Sequence, residues 1–231
     1  MSSDFDRYSK DYHKSIAHPL RSLMESKGEN EFLRAKARWI DHWWNNSSPH
    51  SPRVLDYGCG TGMLTKYLHD LRPGWSYHGT DPSGGMIDEA KGTAPFADFS
   101  VLPNDQAPFA GQRFDLLLMS GVLHHIPWQE WEQAFAQVRS ALAPQGTLLI
   151  FEHNPYNPLT QFVVRTTPID HDAQMRTSSF VMKALGRFGF EVESRQYLHF
   201  FPPQFRALQP LERKIAWLPL GCQYLVQSRL K

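Results

Sequence analysis

Residues 54–62 read Val-Leu-Asp-Tyr-Gly-Cys-Gly-Thr-Gly. A short apolar run ending in three alternate glycines predicts a strand that turns sharply into a helix. Glycine adopts the left-handed backbone of such a turn at little steric cost, and it lets a ligand approach the main chain. Nineteen residues after Gly62, Asp81 closes the next apolar run. A carboxylate there is placed to accept both hydroxyls of a ribose.

The segments that follow alternate between the two periodicities. Strands are predicted at 53–57, 75–80, 97–102, 114–119 and 147–152, and helices at 62–71, 83–91 and 127–142. Residues 114–119, Phe-Asp-Leu-Leu-Leu-Met, are nearly all apolar, as a central parallel strand covered on both faces requires. Pro127 opens the helix that carries Trp128, Trp131, Phe135, Val138 and Leu142 at helical spacing. The sequence Pro144-Gln145-Gly146 turns the chain into the next strand. Beyond it the rhythm breaks. Residues 154–176 read as irregular, 178–188 as a helix, 190–197 as a strand, 202–218 as a proline-punctuated helical insert and 223–230 as the last strand. Upstream, residues 4–17 read as a polar helix or lid. Residues 30–44 read as an amphipathic helix with Phe32, Ala35, Trp39 and Trp43 on one face, and 45–52 as a loop. The fold expected is α/β, a Rossmann-like doubly wound sheet. A helical lid would occupy residues 1–48 and the main domain 49–231, with substrate-side insertions near 154–176 and 198–218. The 231 residues, 41% hydrophobic, supply a full core for one such domain.

Two nucleotide-like cofactors suit the glycine turn, a dinucleotide and S-adenosylmethionine. The dinucleotide fingerprint wants its third glycine at position 63, which is Met. Asp56 at the strand end would repel a pyrophosphate but attract the ammonium of a methionyl group. Four segments then resemble, in order and spacing, the class I S-adenosylmethionine-dependent methyltransferases of the small-molecule type. They are VLDYGCGTG, GTDPSGGMI, FDLLLMSGVLHHI and LAPQGTLLIFEH, and the likeness covers residues 50–153. The resemblance implies a seven-stranded sheet whose last strand is antiparallel. It also implies S-adenosylmethionine as cofactor, with Asp56, Gly58, Cys59, Gly60 and Gly62 around the methionyl part. Asp81 would hold the ribose, Pro82 and Met86 would lie near the adenine, and Ser120 would line the floor. The acidic residue the family places near the adenine amino group falls near Pro103, where Asn104 or Asp105 substitutes. The family's first helix closes over the cofactor, which Tyr8 and Tyr12 suit by offering aromatic faces to a sulfonium.

Methyl transfer from a sulfonium is an in-line displacement with a neutral leaving group. A base is needed only where the nucleophile must lose a proton. His124 and His125 follow the fourth strand and His153 the fifth, so these histidines are the expected bases, His124 and His153 ahead of His125, with Glu152 as base or orienting group. The activity expected is O-methylation of a small-molecule acceptor. The alternatives are N-methylation by proximity alone, a non-catalytic S-adenosylmethionine-binding protein and a dinucleotide oxidoreductase. Asn154-Pro155-Tyr156 resembles the Asn-Pro-Pro-Tyr motif that holds an amino group, but it follows the fifth strand instead of the fourth and is read as a turn. No metal is expected, since adjacent His124 and His125 would point apart and no cysteine pair joins them. The net charge of +1, with charges interspersed, argues against a nucleic-acid partner. No apolar run approaches a membrane span. Two cysteines outside any redox motif suggest a reduced, cytoplasmic setting.

Overall fold

The structure is a computed structural model, and it describes residues 25–26, 29–47, 50–103, 106–170, 172–201 and 203–231. The expected lid at 4–17, with Tyr8 and Tyr12, lies outside the described residues, as do Asn104 and Asp105. A hairpin of two-residue strands, Glu25–Ser26 and Glu29–Asn30, leads into α1 (Glu31–Ser47). Then follow β1 (Arg53–Tyr57), α2 (Met63–Leu71), β2 (Ser76–Asp81), α3 (Gly84–Thr93), β3 (Asp98–Val101) and β4 (Phe114–Ser120). The second half holds α4 (Trp131–Ala141), β5 (Leu142–His153), α5 (Pro158–Thr166), α6 (Ser178–Arg187), β6 (Phe190–Leu198), α7 (Gln209–Ile215) and β7 (Gln223–Leu230).

The seven strands lie in the order β3-β2-β1-β4-β5-β7-β6. β7 runs antiparallel to both of its neighbours, and the other pairings are parallel. The sheet is Rossmann-like with the last strand antiparallel, as the resemblance implies. Strand order reverses between β1 and β4, and a crevice opens there at the carboxyl ends of the strands. The central strands are apolar on both faces because helices cover both. Leu117 and Met119 of β4 meet Leu148 and Ile150 of β5 under α4 and α6, where Trp131, Phe135, Val138, Val181 and Leu185 pack. Leu116, Leu118, Leu149 and Phe151 face the other way, under Ala37, Ile40 and Trp44 of α1 and Leu64 and Leu68 of α2. Burying one such large side chain stabilises the fold by about 1.5–3 kcal/mol.

Several boundaries differ from those read in the sequence. Pro127 precedes a separate 3-10 turn, Trp128–Glu130, and α4 begins only at Trp131. Leu142 is already strand. It pairs with Phe114, and the ladder shifts register before Thr147 pairs with Leu116, a break that accommodates Pro144, which has no N–H to donate. The segment expected to be irregular contains α5. Asn157 caps it through the Thr160 N–H at 3.0 Å, and Pro158 stands in its first turn. The core face of α1 is Ala37-Ile40-Trp44, offset from the stripe of Phe32, Ala35, Trp39 and Trp43. That stripe lines a groove against Tyr197 and Trp217. Among the described residues, no helix is long and apolar enough to cross a membrane.

Candidate functional site

The turn after β1 takes the expected conformation, with Gly58 at φ 74° and Gly60 at φ 51°. The Gly58 and Cys59 N–H groups both donate to the Thr80 carbonyl, at 2.7 and 3.0 Å. The turn is thereby stitched to the end of β2. A Cβ on Gly58 would lie 2.6 Å from a Val122 methyl, so the loop after β4 is tightly seated against it. At Gly60 a Cβ would meet nothing within 4 Å; that face of the turn is open.

The Asp81 carboxylate, 8% exposed, accepts the Gly60 N–H on Oδ2 at 2.9 Å and the Ser83 N–H on Oδ1 at 3.0 Å. Asp56 is buried, and its Oδ2 accepts the Thr65 hydroxyl at 3.1 Å. Burial outweighs that hydrogen bond, and with Asp81 nearby the Asp56 pKa rises to about 7 even though Lys36 acts against the shift. Lys36, buried on α1, donates to the Ser120 hydroxyl at 2.8 Å.

The glycine turn, Asp56, Asp81 and Ser120 border one cavity of about 340 Å³. Of the residues expected around a cofactor, Asp56, Gly58, Cys59 and Gly60 line it on one side. Asp81, Pro82, Met86 and Ser120 complete that expected set. Gly62 does not line it; at φ 74° Gly62 is instead the N-cap of α2. Leu33, Glu130, Ile169 and Asp172 are among the lining residues that were not anticipated. They come from α1, the turn before α4 and the segment after α5, and no local pattern marks them.

Of the three histidines, only His125 lines this cavity. His124 lies behind it, 4% exposed. Its Nδ1 is 2.6 Å from Glu152 Oε2, and Glu152 Oε1 accepts the Val122 and Leu123 N–H groups at 2.9 and 2.7 Å. The loop after β4 is thus pinned to the end of β5. Burial acts against the charged form of His124, but Glu152 and Asp170 outweigh it and carry the pKa up to about 10. Burial and the neighbouring His124 charge push His153 down to about 3. His124 and His125 do not point apart. Their ring centroids are 4.1 Å apart, and both Nε2 atoms face Asp170 Oδ1, at 3.7 and 3.5 Å.

Asn154 is a staple. Its side-chain amide donates to the Pro219 and Gly221 carbonyls at 3.0 and 2.8 Å, and its Oδ1 accepts the Tyr156 N–H. With its donors committed to the main chain, it serves as the turn read in the sequence.

The family described as "Methyltransferase domain" matches residues 54–146. Trans-aconitate 2-methyltransferase of Variovorax paradoxus is 35% identical over 108 residues, 44% of this chain and 39% of the relative. The chain spans well under two thirds of the length of the curated relatives it matches, for instance 25% of an uncharacterised Synechococcus protein. Solved structures cover nearly all of it. A TehB-like S-adenosylmethionine-dependent methyltransferase from Corynebacterium glutamicum superposes with a TM-score of 0.64 at 21% identity, covering 97% of this chain and 99% of that one. Magnesium protoporphyrin IX methyltransferase from Synechocystis, with bound S-adenosylhomocysteine, gives 0.67 at 17% identity and covers 98% and 96%.

Proposed function

We propose that this chain, which carries a class I S-adenosylmethionine-dependent methyltransferase domain, transfers a methyl group to an oxygen of a small-molecule acceptor. The observation that carries the reading is the single cavity onto which Asp56, the open face of Gly60, Asp81 and Met86 converge. The residues suit S-adenosylmethionine on two counts. Asp56 is a buried carboxylate that burial holds near neutrality, and the cofactor's ammonium would stabilise its charged form. The space a Cβ on Gly60 would occupy is open, so the ligand can lie against the main chain. Asp81 borders the cavity beside the glycine turn, where a carboxylate can accept ribose hydroxyls, and Pro82 and Met86 border the place for the adenine. Glu130 adds a carboxylate to the same cavity wall, a role assigned in the sequence to Asn104 or Asp105.

When bound, the cofactor supplies an already activated methyl group. The chain's own residues then have to orient the acceptor and exclude water. Leu33 and Ile169 form apolar wall, and His125 borders the space left for the acceptor. A base role for His124 is not favoured, because it sits behind the cavity wall and is held charged by two carboxylates. Two of the proteins that this chain resembles are named for small-molecule acceptors, trans-aconitate and magnesium protoporphyrin IX.

Calorimetry with S-adenosylhomocysteine and with NAD tests the cofactor. Binding of the first alone supports the reading, and binding of NAD alone replaces it with an oxidoreductase. Incubation with labelled cofactor and a panel of hydroxyl, carboxyl and amine compounds tests the acceptor atom. Label appearing only on amines would overturn the oxygen assignment.

A further inference from the structure

His124, His125 and Asp170 meet beside the cofactor cavity. Both imidazole Nε2 atoms face one oxygen, Asp170 Oδ1, at 3.7 and 3.5 Å, ion-pair contacts longer than the 2.7–3.2 Å of a well-formed N–H···O bond. Where this cluster does form a hydrogen bond it is short, 2.6 Å between His124 Nδ1 and Glu152. Separations near 3.5 Å are instead those between ligands on a common ion. Zinc–nitrogen and zinc–oxygen bonds of about 2.1 Å in a tetrahedron put ligand atoms about 3.4 Å apart.

The set has the chemistry of a metal centre as well as its spacing. The three ligand atoms lie within 4.8 Å of one another. Asp170 is buried, and His125 is partly exposed, so its ring has room to close the widest gap. Glu152 takes the Nδ1 side of His124, which leaves Nε2 as the atom facing Asp170. A carboxylate behind a ligating histidine sets the tautomer and orients the ring. That carboxylate is itself held by the Val122 and Leu123 N–H groups.

We propose that His124, His125 and Asp170 bind a divalent transition-metal ion of the zinc class, which displaces the His124 Nε2 proton to solvent, with Glu152 as the orienting carboxylate. Three protein ligands leave a coordination position open, as in catalytic rather than structural zinc sites. His125 borders the cavity, so the ion stands at the acceptor end of the pocket. Its role rests on the methyl-transfer reading above. An acceptor hydroxyl bound to the ion loses its proton to solvent at neutral pH. The oxygen's lone pair forms the new C–O bond while the C–S bond breaks and its electrons remain on sulfur. No histidine then has to take the proton.

The test is titration of the dialysed full chain with Co²⁺, followed by its visible absorption, and with Zn²⁺ by calorimetry. Melting curves and S-adenosylhomocysteine affinity are recorded alongside. One ion per chain is expected, with the intense visible bands of a four-coordinate Co²⁺ site. D170N and H125A should each lose more affinity than the roughly 10- to 100-fold that removing an orienting partner costs, and E152Q should fall in that 10- to 100-fold range. Either ligand variant suffices if the other fails to fold. Absence of stoichiometric binding, or equal Co²⁺ binding by wild type and the folded ligand variants, overturns the site. Failure of S-adenosylhomocysteine to bind would overturn the cofactor reading instead, and the metal titration reads independently of it.

Discussion

At the residue scale, two carboxylates carry the cofactor site and they differ in environment. Asp56 faces Thr65, Asp81 and Lys36, and burial dominates, raising its pKa to about 7. A carboxyl whose folded pKa is raised stabilises the free protein below its unfolded pKa of about 4, and that contribution is lost as pH rises through 7. Binding a cationic ammonium needs the ionised form. The ionised fraction grows from about one tenth at pH 6 to about nine tenths at pH 8, so affinity for S-adenosylhomocysteine should rise about tenfold across that range. Calorimetry at several pH values checks this, and D56N should flatten the profile. A wild-type profile that is already flat would show that Asp56 does not meet the ammonium. Asp81 has the second task of anchoring the Gly60 and Ser83 N–H groups. D81A should therefore weaken S-adenosylhomocysteine binding at least tenfold and also lower the melting temperature, since each lost charge-assisted hydrogen bond is worth about 1.5–3 kcal/mol. Unchanged affinity would mean that the ribose is held elsewhere.

The elements explain which parts of this site could be read from the sequence. Asp56, Gly58, Gly60 and Asp81 lie on one strand-turn-helix-strand run, where spacing along the chain maps directly onto spacing in space. Leu33, Ile169 and Asp170 arrive from segments far from that run, and only the packed fold brings them together. The direction of the His124 and His125 rings was misread because it depends on Glu152 and Asp170, neither of which is a sequence neighbour. α5 was missed for a different reason. A proline in a loop-like stretch reads as a breaker, yet Pro158 directly after an Asn cap starts a helix. After β5 the chain is held by Asn154, whose amide bridges to Pro219 and Gly221 across the end of β7. N154A leaves two carbonyls without that amide, and should cost about 1–3 kcal/mol of unfolding free energy. Cofactor affinity should stay within twofold of wild type. Denaturant titration beside calorimetry separates the two effects; a large loss of affinity with normal stability would make Asn154 a ligand-binding residue.

For the whole molecule, the crevice between β1 and β4 ties the two halves of the sheet to one ligand. A ligand that binds only the folded chain adds about 2.7 kcal/mol at one hundred times its dissociation constant. For a chain of this size that raises the melting temperature by roughly 5–10 °C. S-adenosylhomocysteine should produce this shift and NAD should not, as scanning calorimetry would record. No shift with either would leave a fold without its cofactor.

The order of the strands in space also sets an order in time. β7 lies between β5 and β6, yet it is translated after both. At roughly 5–20 residues per second, β5 emerges roughly 4–15 s before the partner that will cover its outer edge. During that interval a nascent chain offers Leu148 to Phe151, four apolar residues in a row, to any other unpaired strand nearby. Until β7 arrives, that edge is where a partly made chain is open to pairing with the wrong strand.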